Sequence, residues 1–280
     1  MGTMTRFHLI LTVLLGLGAQ ARAETVTWII HDAPPQYIFD GPLACQGYKD
    51  QQLRFLIAQL PQFQHRVIKG SISRAWHELA LNDGICTLGM LPNKEREDAA
   101  ALAERPVLVP GFRLAIAAGR ADRLAPFIDR QGEVDLDQLA GSHRLSGAYL
   151  AARVHARAIE DFIALPGRAV PLQQIVSPRQ LYALVQTGRV DFTFGGPHEI
   201  RYAQRTLDGD ATFEALPIRG VPRLVKTYLS CSKKPLGEAV IAAADQALRD
   251  PARWAGFLAP LEAWMDGPDF AQALAAQPDH

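Results

Sequence analysis

Two widely separated stretches carry the same pattern of apolar and polar positions. Ser73–Gly84 (SRAWHELALNDG) and Ser177–Gly188 (SPRQLYALVQTG) each place a serine before an apolar stripe at helical spacing and a glycine after it. That pattern predicts capped amphipathic helices. Each runs into a mostly apolar strand, ICTLGML or RVDFTFGG, and then into a polar loop, PNKER or PHEIR. Strands with so few polar positions are expected where helices cover both faces of a sheet. A duplicated helix–strand–loop unit predicts two similar α/β lobes, each turning a loop toward the space between them. Clefts of that kind bind ligands.

Ahead of the first unit, Glu24–Ile30 reads as a β-branched and aromatic strand, and His31–Gly47 as a loop punctuated by proline and glycine. Tyr48–Leu60 reads as a helix with Tyr48, Leu53, Leu56, Ile57 and Leu60 on one face, and His65–Ile68 as a second strand. This order predicts a largely parallel sheet. Pro106–Ala118 predicts a strand, or a pair of strands, leading out of the first lobe. A short helix over Gly132–Gly141 follows, then a brief strand over Arg144–Ser146 and a helix over Tyr149–Leu165 that buries Val154, Ala158, Ile159 and Phe162. A strand over Val170–Val176 leads to the second unit, whose Pro178 suits a first helical position. Thr212–Ile218 ends the middle lobe, Val225–Ser232 returns as a strand, and the helical tail is expected to pack back on the first lobe. Lobe I is therefore expected over 24–115 and 225–280 and lobe II over 116–224, joined by two strand-like crossings that form a hinge.

Residues 1–23 stand outside this pattern. Arg6, the apolar run Leu9–Leu17 and Ala21-Arg22-Ala23 match a secretory signal peptide with its cleavage site. The apolar run is shorter than the roughly 20 residues of a spanning helix. The expectation is export to the periplasm without a membrane anchor. The 29 basic and 29 acidic residues cancel, and no basic stripe with interleaved aromatics occurs, which argues against nucleic acid as a partner. The eight histidines are scattered, and neither HExxH nor GxSxG is present, so no metal, cofactor or hydrolase elbow is expected. Cys45, Cys86 and Cys231 permit at most one internal bridge. Cys86 opens one predicted strand and Cys231 lies near the end of another; they face each other only if those strands are antiparallel neighbours. Pairings with Cys45 stay open on the residues alone.

The order of elements resembles the periplasmic solute-binding proteins of the polar amino-acid type, bacterial family 3, over nearly the whole chain after residue 23. The resemblance is carried by the proline-aromatic loop APPQY, by GMLPNKER, by GRVDF and by the return segment YLSCSKKPLGEAVIAAADQAL. The NKER-like step and the late cysteine place it with an uncharacterised subgroup of that family. It implies a two-lobed α/β architecture, the type II binding-protein fold, with mainly parallel, helix-flanked sheets and a two-strand hinge. It also implies that the return strand lies antiparallel to the strand before the NKER loop, and hence a Cys86–Cys231 bridge.

The same resemblance implies a set of ligand contacts. The family's Thr-x-x-Arg step corresponds to Asn93-Lys94-Glu95-Arg96, which makes Arg96 the expected carboxylate clamp, since a guanidinium forks both oxygens of an acid. Tyr37 is the aromatic expected to cover the ligand. Ser146, Gly147 and Tyr149 stand where the family presents a glycine and a hydroxyl to an anion. Where the family carries an acid for the ligand ammonium, this chain has Gly196, with Glu199 three residues on as a substitute or as a helix cap.

The function implied is capture of a small polar or anionic solute, amino-acid-like or carboxylate, by a monomer serving an ABC permease. Two rivals keep the fold: a partner of a membrane sensor, and a lyase of the cyclohexadienyl-dehydratase type. A lyase needs an acid over the leaving group, and Glu199 and Asp32 are the acids placed near a cleft. His31 and His198 are expected to border it.

Overall fold

The computed structural model describes residues 23–151, 153–207, 209, 212–265 and 267–277. The expected signal peptide lies, apart from Ala23, outside the described residues. The first half contains β1 (Thr25–His31), α1 (Tyr48–Ala58), β2 (Gln64–Gly70), α2 (Ile72–Leu81), β3 (Ile85–Met90), α3 (Lys94–Ala99), β4 (Ala100–Leu102) and β5 (Val107–Pro110). β1 pairs in parallel with both β2 and β3, giving the order β2-β1-β3. Alternation along β1 sends Val26, Trp28 and Ile30 into a core with Leu53 and Leu56 of α1, while Ile29 packs with Ala75 and Leu79 of α2. The central strands β1 and β3 are thus covered on both faces, which is why they carry so few polar residues, while the edge strand β2 stays polar and largely exposed.

The second half contains β6 (Arg113–Ala117), α4 (Leu136–Ala140), β7 (Gly147–Leu150), α5 (Arg157–Ala164), β8 (Leu172–Ile175), α6 (Pro178–Gln186), β9 (Phe192–Gly195), α7 (Pro197–Thr206) and β10 (Phe213–Leu216). β7 pairs in parallel with β8 and β9, so β8-β7-β9 repeats the arrangement of the first sheet. Leu114, Ile116, Phe192 and Phe194 fill one face, and Ala115, Ala148, Leu181 and Val185 the other. The repeated sequence unit corresponds to α2–β3 and α6–β9. Ser177 caps α6 by accepting from the Gln180 N–H at 3.4 Å, and Ser71 caps α2 by accepting from the Arg74 N–H at 3.1 Å. The expected cap, Ser73, instead lies inside the helix. Gly84 and Gly188, with φ of 66° and 68°, turn the chain from each helix into its strand through the left-handed region that glycine favours.

The chain then returns through β11 (Leu224–Ser232), which runs antiparallel to β3, β4 and β5. Helices α8 (Pro235–Leu248) and α9 (Pro251–Leu258), a 3-10 stretch at Ala259–Trp264 and α10 (Gly267–Ala275) complete the first lobe. Val240, Ile241, Trp254 and Phe257 join its larger core. The register sets Cys231 opposite Cys86, and the two are bridged, with Cys45 free and exposed.

Two crossings, between Pro110 and Arg113 and between Leu216 and Leu224, connect the sheets side by side. Leu224 pairs with Pro110, and the Gly111 N–H donates to the Arg223 carbonyl at 2.8 Å. The first crossing precedes the expected 115/116 boundary: Pro110-Gly111 breaks the apolar run, and Arg113–Ala117 already pairs with β9 and β10. The expected helix over Tyr149–Leu165 is also revised. Tyr149 and Leu150 belong to β7, the expected strand residues Arg144–Ser146 precede it, and the helix begins only at Arg157. Pairing of Tyr149 and Leu150 with β8 outweighs the helical spacing of apolar residues around position 150. Among the described residues, no helix is long and apolar enough to cross a membrane.

Candidate functional site

A cavity lies between the two sheets, beside the crossings, with about 1140 Å³ of space including the part open to solvent. From the first lobe it is lined by the loop after β1 (His31, Asp32, Pro34, Gln36), by Lys49 of α1, Trp76 of α2, the end of β3 and Arg96. From the second it is lined by Arg153, Tyr182 of α6, and Gly196, His198 and Glu199 at the start of α7; Phe112 stands at the crossing. His31 comes from the end of β1, and Asp32 and Gln36 from the loop after it. Arg153 comes from the segment between β7 and α5, Tyr182 from the middle of α6, and Lys49, Arg96, His198 and Glu199 from the first turns of their helices.

Arg96 is oriented by three contacts. Its backbone N–H donates to the side chain of the helix-capping Asn93 at 2.9 Å, a guanidinium nitrogen donates to the Leu91 carbonyl at 3.1 Å, and the guanidinium carbon sits 4.4 Å from the Trp76 ring centre. Among the described residues Arg96 makes no ion pair, and its neighbour Lys94 pairs with Asp98 instead. Asn93 thus sets the turn that presents Arg96 and does not itself line the cavity.

Across the cleft, Arg153 and Glu199 form a forked ion pair, at 2.9 Å and 2.6 Å. Glu199 is also the cap of α7, accepting from the Gly196 N–H at 2.9 Å, and it receives the Gln36 side-chain amide at 3.4 Å. Burial by itself would raise this carboxyl, but Arg153, His198 and the Gly196 N–H outweigh it and bring it down to about 2. Arg153 also stacks 4.7 Å from the Phe112 ring centre.

Lys49 is buried, with its ammonium donating to the Gln36 side-chain oxygen and to the Gly89 carbonyl at 3.4 Å. Burial and Arg153 lower it to about 7 against the pull of Glu199. His198 meets the Tyr48 ring edge-on at 5.8 Å; burial first, then Arg153 and Lys49, hold it near 4 despite Glu199. His31 is brought to about 3 by burial and by Lys49, Arg153 and Arg96. His31 Nδ1, both ring nitrogens of His198 and the Tyr182 hydroxyl are buried without a hydrogen-bond partner among the described residues, although His198 Nε2 stands 3.9 Å from a Glu199 oxygen. Buried polar atoms are normally paired, and a group of unpaired ones around one space marks a place for a ligand or ordered water.

Of the residues expected at the site, Arg96, Gly196 and Glu199 line the cavity, as do Asp32, His31 and His198. Tyr37 does not. A bridge between Ala33 and Tyr37 closes the loop and turns the tyrosine wholly into the first core, edge-on to His31 at 6.1 Å. Ser146, Gly147 and Tyr149 lie away from the cavity. Ser146 is tied to Asp191, its N–H donating at 2.8 Å, and Tyr149 packs on the second lobe's core. Gly147 is glycine for packing: a Cβ there would stand 2.5 Å from the Phe192 ring and 2.7 Å from Leu172. Gly147→Ala is expected to lower stability by about 1–3 kcal/mol through overpacking, read by urea denaturation, with ligand affinity unchanged.

Lys49, Arg153 and Tyr182 are contributors that the sequence reading did not name. Lys49 was detectable, since it falls four and seven residues before Leu53 and Leu56 on the buried stripe of α1. Beyond the cavity, Arg201 and Arg205 of α7 donate to the Met265 and Ala263 carbonyls at 2.7 Å and 3.1 Å, so the lobes also meet at its outer edge. The described residues contain no cluster of metal-ligating side chains.

No protein-family profile matches the chain, and no curated protein matches it in sequence. Solved structures do match in shape. A probable amino-acid ABC transporter extracellular-binding protein from Bacillus subtilis aligns with a TM-score of 0.65 at 16% identity, covering 88% of this chain and 100% of the other. A putative L-cystine ABC transporter protein from Listeria monocytogenes gives 0.65 at 16%, covering 88% and 98%. An ancestral amino-acid-binding protein described as a precursor of cyclohexadienyl dehydratase gives 0.63 at 14%, covering 86% and 95%. At such identities the likeness shows the fold, the two-lobed type II periplasmic-binding-protein architecture.

Proposed function

We propose that this chain is an exported solute-binding protein that holds one small polar or anionic solute between its lobes and delivers it to an ABC importer. The observation that carries the reading is the cavity between the sheets. It brings Arg96, Lys49 and Arg153 together with the unpaired polar atoms of His31, His198 and Tyr182. The similarity of fold to amino-acid and cystine importer components supports it. The lobes, taken as 24–110 with 224–280 and as 113–216, would open about the paired crossings. A solute touching both would then favour the closed state by its differential affinity for that state.

In this reading Arg96 clamps an anionic group of the solute. Trp76 and the Leu91 carbonyl hold the guanidinium in position before the ligand arrives, so little ordering is left for binding to supply. A thermal-shift screen of organic acids, amino acids and amines tests the capture, because a ligand that binds only the folded form raises the transition by mass action. Arg96→Ala is expected to weaken the solute so identified by on the order of 10–100-fold, leaving the unliganded transition near its parent value. Undiminished affinity in that variant would remove the clamp.

A second reading, a lyase on the same fold, draws on the dehydratase precursor among the structural neighbours. Glu199, paired with Arg153 and held near 2, is not a proton donor at neutral pH. Asp32, raised chiefly by burial, is the acid available for that role. Release of carbon dioxide and water from a prephenate-like acid, lost in Asp32→Asn, would establish it. The receiving membrane partner, permease or sensor, is decided by which of them binds the loaded protein.

A further inference from the structure

The cavity is lined by three cationic side chains, Lys49, Arg96 and Arg153, and by two acids, Asp32 and Glu199. Glu199 is fully engaged: its two oxygens take both prongs of Arg153, the Gly196 N–H and the Gln36 amide. An ammonium group entering the site would have to displace one of these donors. Asp32 belongs to the mouth. It accepts from the Phe39 N–H, faces Asp40 and Lys69, and also lines the outer groove with Asp40 and Pro42.

Two cations make no ion pair among the described residues; Glu95 and Glu160 act on Arg96, and Glu199 on Lys49, only from a distance. Lys49 rests on the neutral oxygens of Gln36 and Gly89, and Arg96 on the Leu91 carbonyl and the Trp76 face. His31 feels the positive charge of Lys49, Arg96 and Arg153 together, which places it amid all three. His31 Nδ1, both His198 nitrogens and the Tyr182 hydroxyl remain unpaired. A buried charge is stable only when paired and hydrogen-bonded. This cavity therefore offers two cationic groups to an anion and no unengaged acid at its centre to a positive one.

We infer that the solute is a small dianion without an ammonium group, of the dicarboxylate class, with one anionic group on Arg96 and the other on Lys49. This rests on the solute-capture reading and deepens it. Lys49 is then the residue that sets specificity, and Glu199, closed by Arg153, excludes amino acids of the same length. The groups facing Lys49 are Tyr48 on its own helix, Gln36 and His31 from the first loop and strand, and the Gly89 carbonyl from β3. From the second lobe they are Arg153, His198 and Glu199. With the free ammonium lowered to about 7, an anion beside it raises its pKa, so binding takes up a proton above pH 7. Affinity for the dianion is then full below about pH 7 and falls as pH rises through the bound pKa.

The test is calorimetric titration and thermal shift of the purified protein with dicarboxylates from malonate to pimelate. Aspartate and glutamate serve as amino-bearing counterparts, and butyrate and valerate as monoanions. The expected result is that one dicarboxylate binds while its amino and monoanionic counterparts bind at least roughly tenfold more weakly. Lys49→Met and Lys49→Gln should each weaken the dicarboxylate by on the order of 30-fold and abolish the decline in affinity above pH 7. Their unliganded melting curves show that the variants fold. An amino acid binding as well as the matching dicarboxylate would overturn the inference, as would parent affinity in both folded variants. If only solutes of another class bind, the inference falls and solute capture stands; if a broad screen finds no solute, both fall.

Discussion

Exchanging Arg153 for methionine lowers folding stability by about 3–5 kcal/mol at neutral pH, measured by urea denaturation. The loss comes less from the missing ion pair than from what is left behind. Glu199, 7% exposed in its side chain, is left as a buried acid that no other cation among the described residues forks. Adding Glu199→Gln to the variant is expected to restore part of the loss, since neither charge then remains.

The pH dependence separates this cause from a packing defect. In the parent protein the Glu199 carboxyl lies near 2, below its ordinary 4.5. A carboxyl depressed in the folded state contributes stability above its unfolded pKa, and that contribution is lost as pH falls through the folded value. The parent is therefore expected to keep this contribution down to about pH 4.5 and to lose it toward pH 2. In Arg153→Met the sign reverses: the acid is then harder to ionise when folded, so acidification from pH 7 toward 5 stabilises the variant. Equal slopes for the two proteins over that range would show that Glu199 is not held ionised by Arg153.

The second large effect concerns the bridge. Removing both cysteines, as Cys86→Ala with Cys231→Ala, is expected to destabilise the protein by about 2–5 kcal/mol in non-reducing buffer. The bridge closes a separation of 145 residues that spans the whole second lobe, so the unfolded chain gains much conformational freedom when it is cut. Both cysteines are fully buried between β3 and β11 and shielded from reductant in the folded protein, so the parent unfolded and refolded under reducing conditions should approach the variant's melting temperature. A melting curve indifferent to both treatments, with two free thiols on titration, would mean the bridge is not formed.

The architecture was legible in the chain because it is written twice. Capped helix, apolar strand and polar loop recur, and the structure resolves them into β2-β1-β3 and β8-β7-β9 with the same strand order. What misled was local ambiguity. The residues after Gly147 have helical spacing of apolar positions, yet Ala148, Tyr149 and Leu150 pair with Gln173, Gln174 and Ile175 of β8, and Ala148 also with Thr193 of β9, all distant in sequence. Arg153 lies just beyond this strand, before α5, and only the fold brings it to Glu199.

The site was legible to the extent that its residues sit on motifs. Arg96 and Glu199 follow recognisable turns at α3 and α7, and both reach the cavity. Tyr37 was misplaced because nothing local reveals the Ala33–Tyr37 bridge that turns it inward. Ser146, Gly147 and Tyr149 were misplaced for another reason. The glycine is needed by the Phe192 ring, and a packing glycine and a ligand-facing one look alike in a sequence. Lys49 shows the converse, a charge on a buried stripe whose oddity points to a role.

The most direct test of capture between the lobes is calorimetric titration of the parent protein and of Arg96→Ala with the solute that the thermal-shift screen identifies. The account predicts one site per chain in the parent and a binding heat weakened on the order of 10–100-fold in the variant. Identical titrations of the two proteins, or no heat and no thermal shift from any compound, would contradict it.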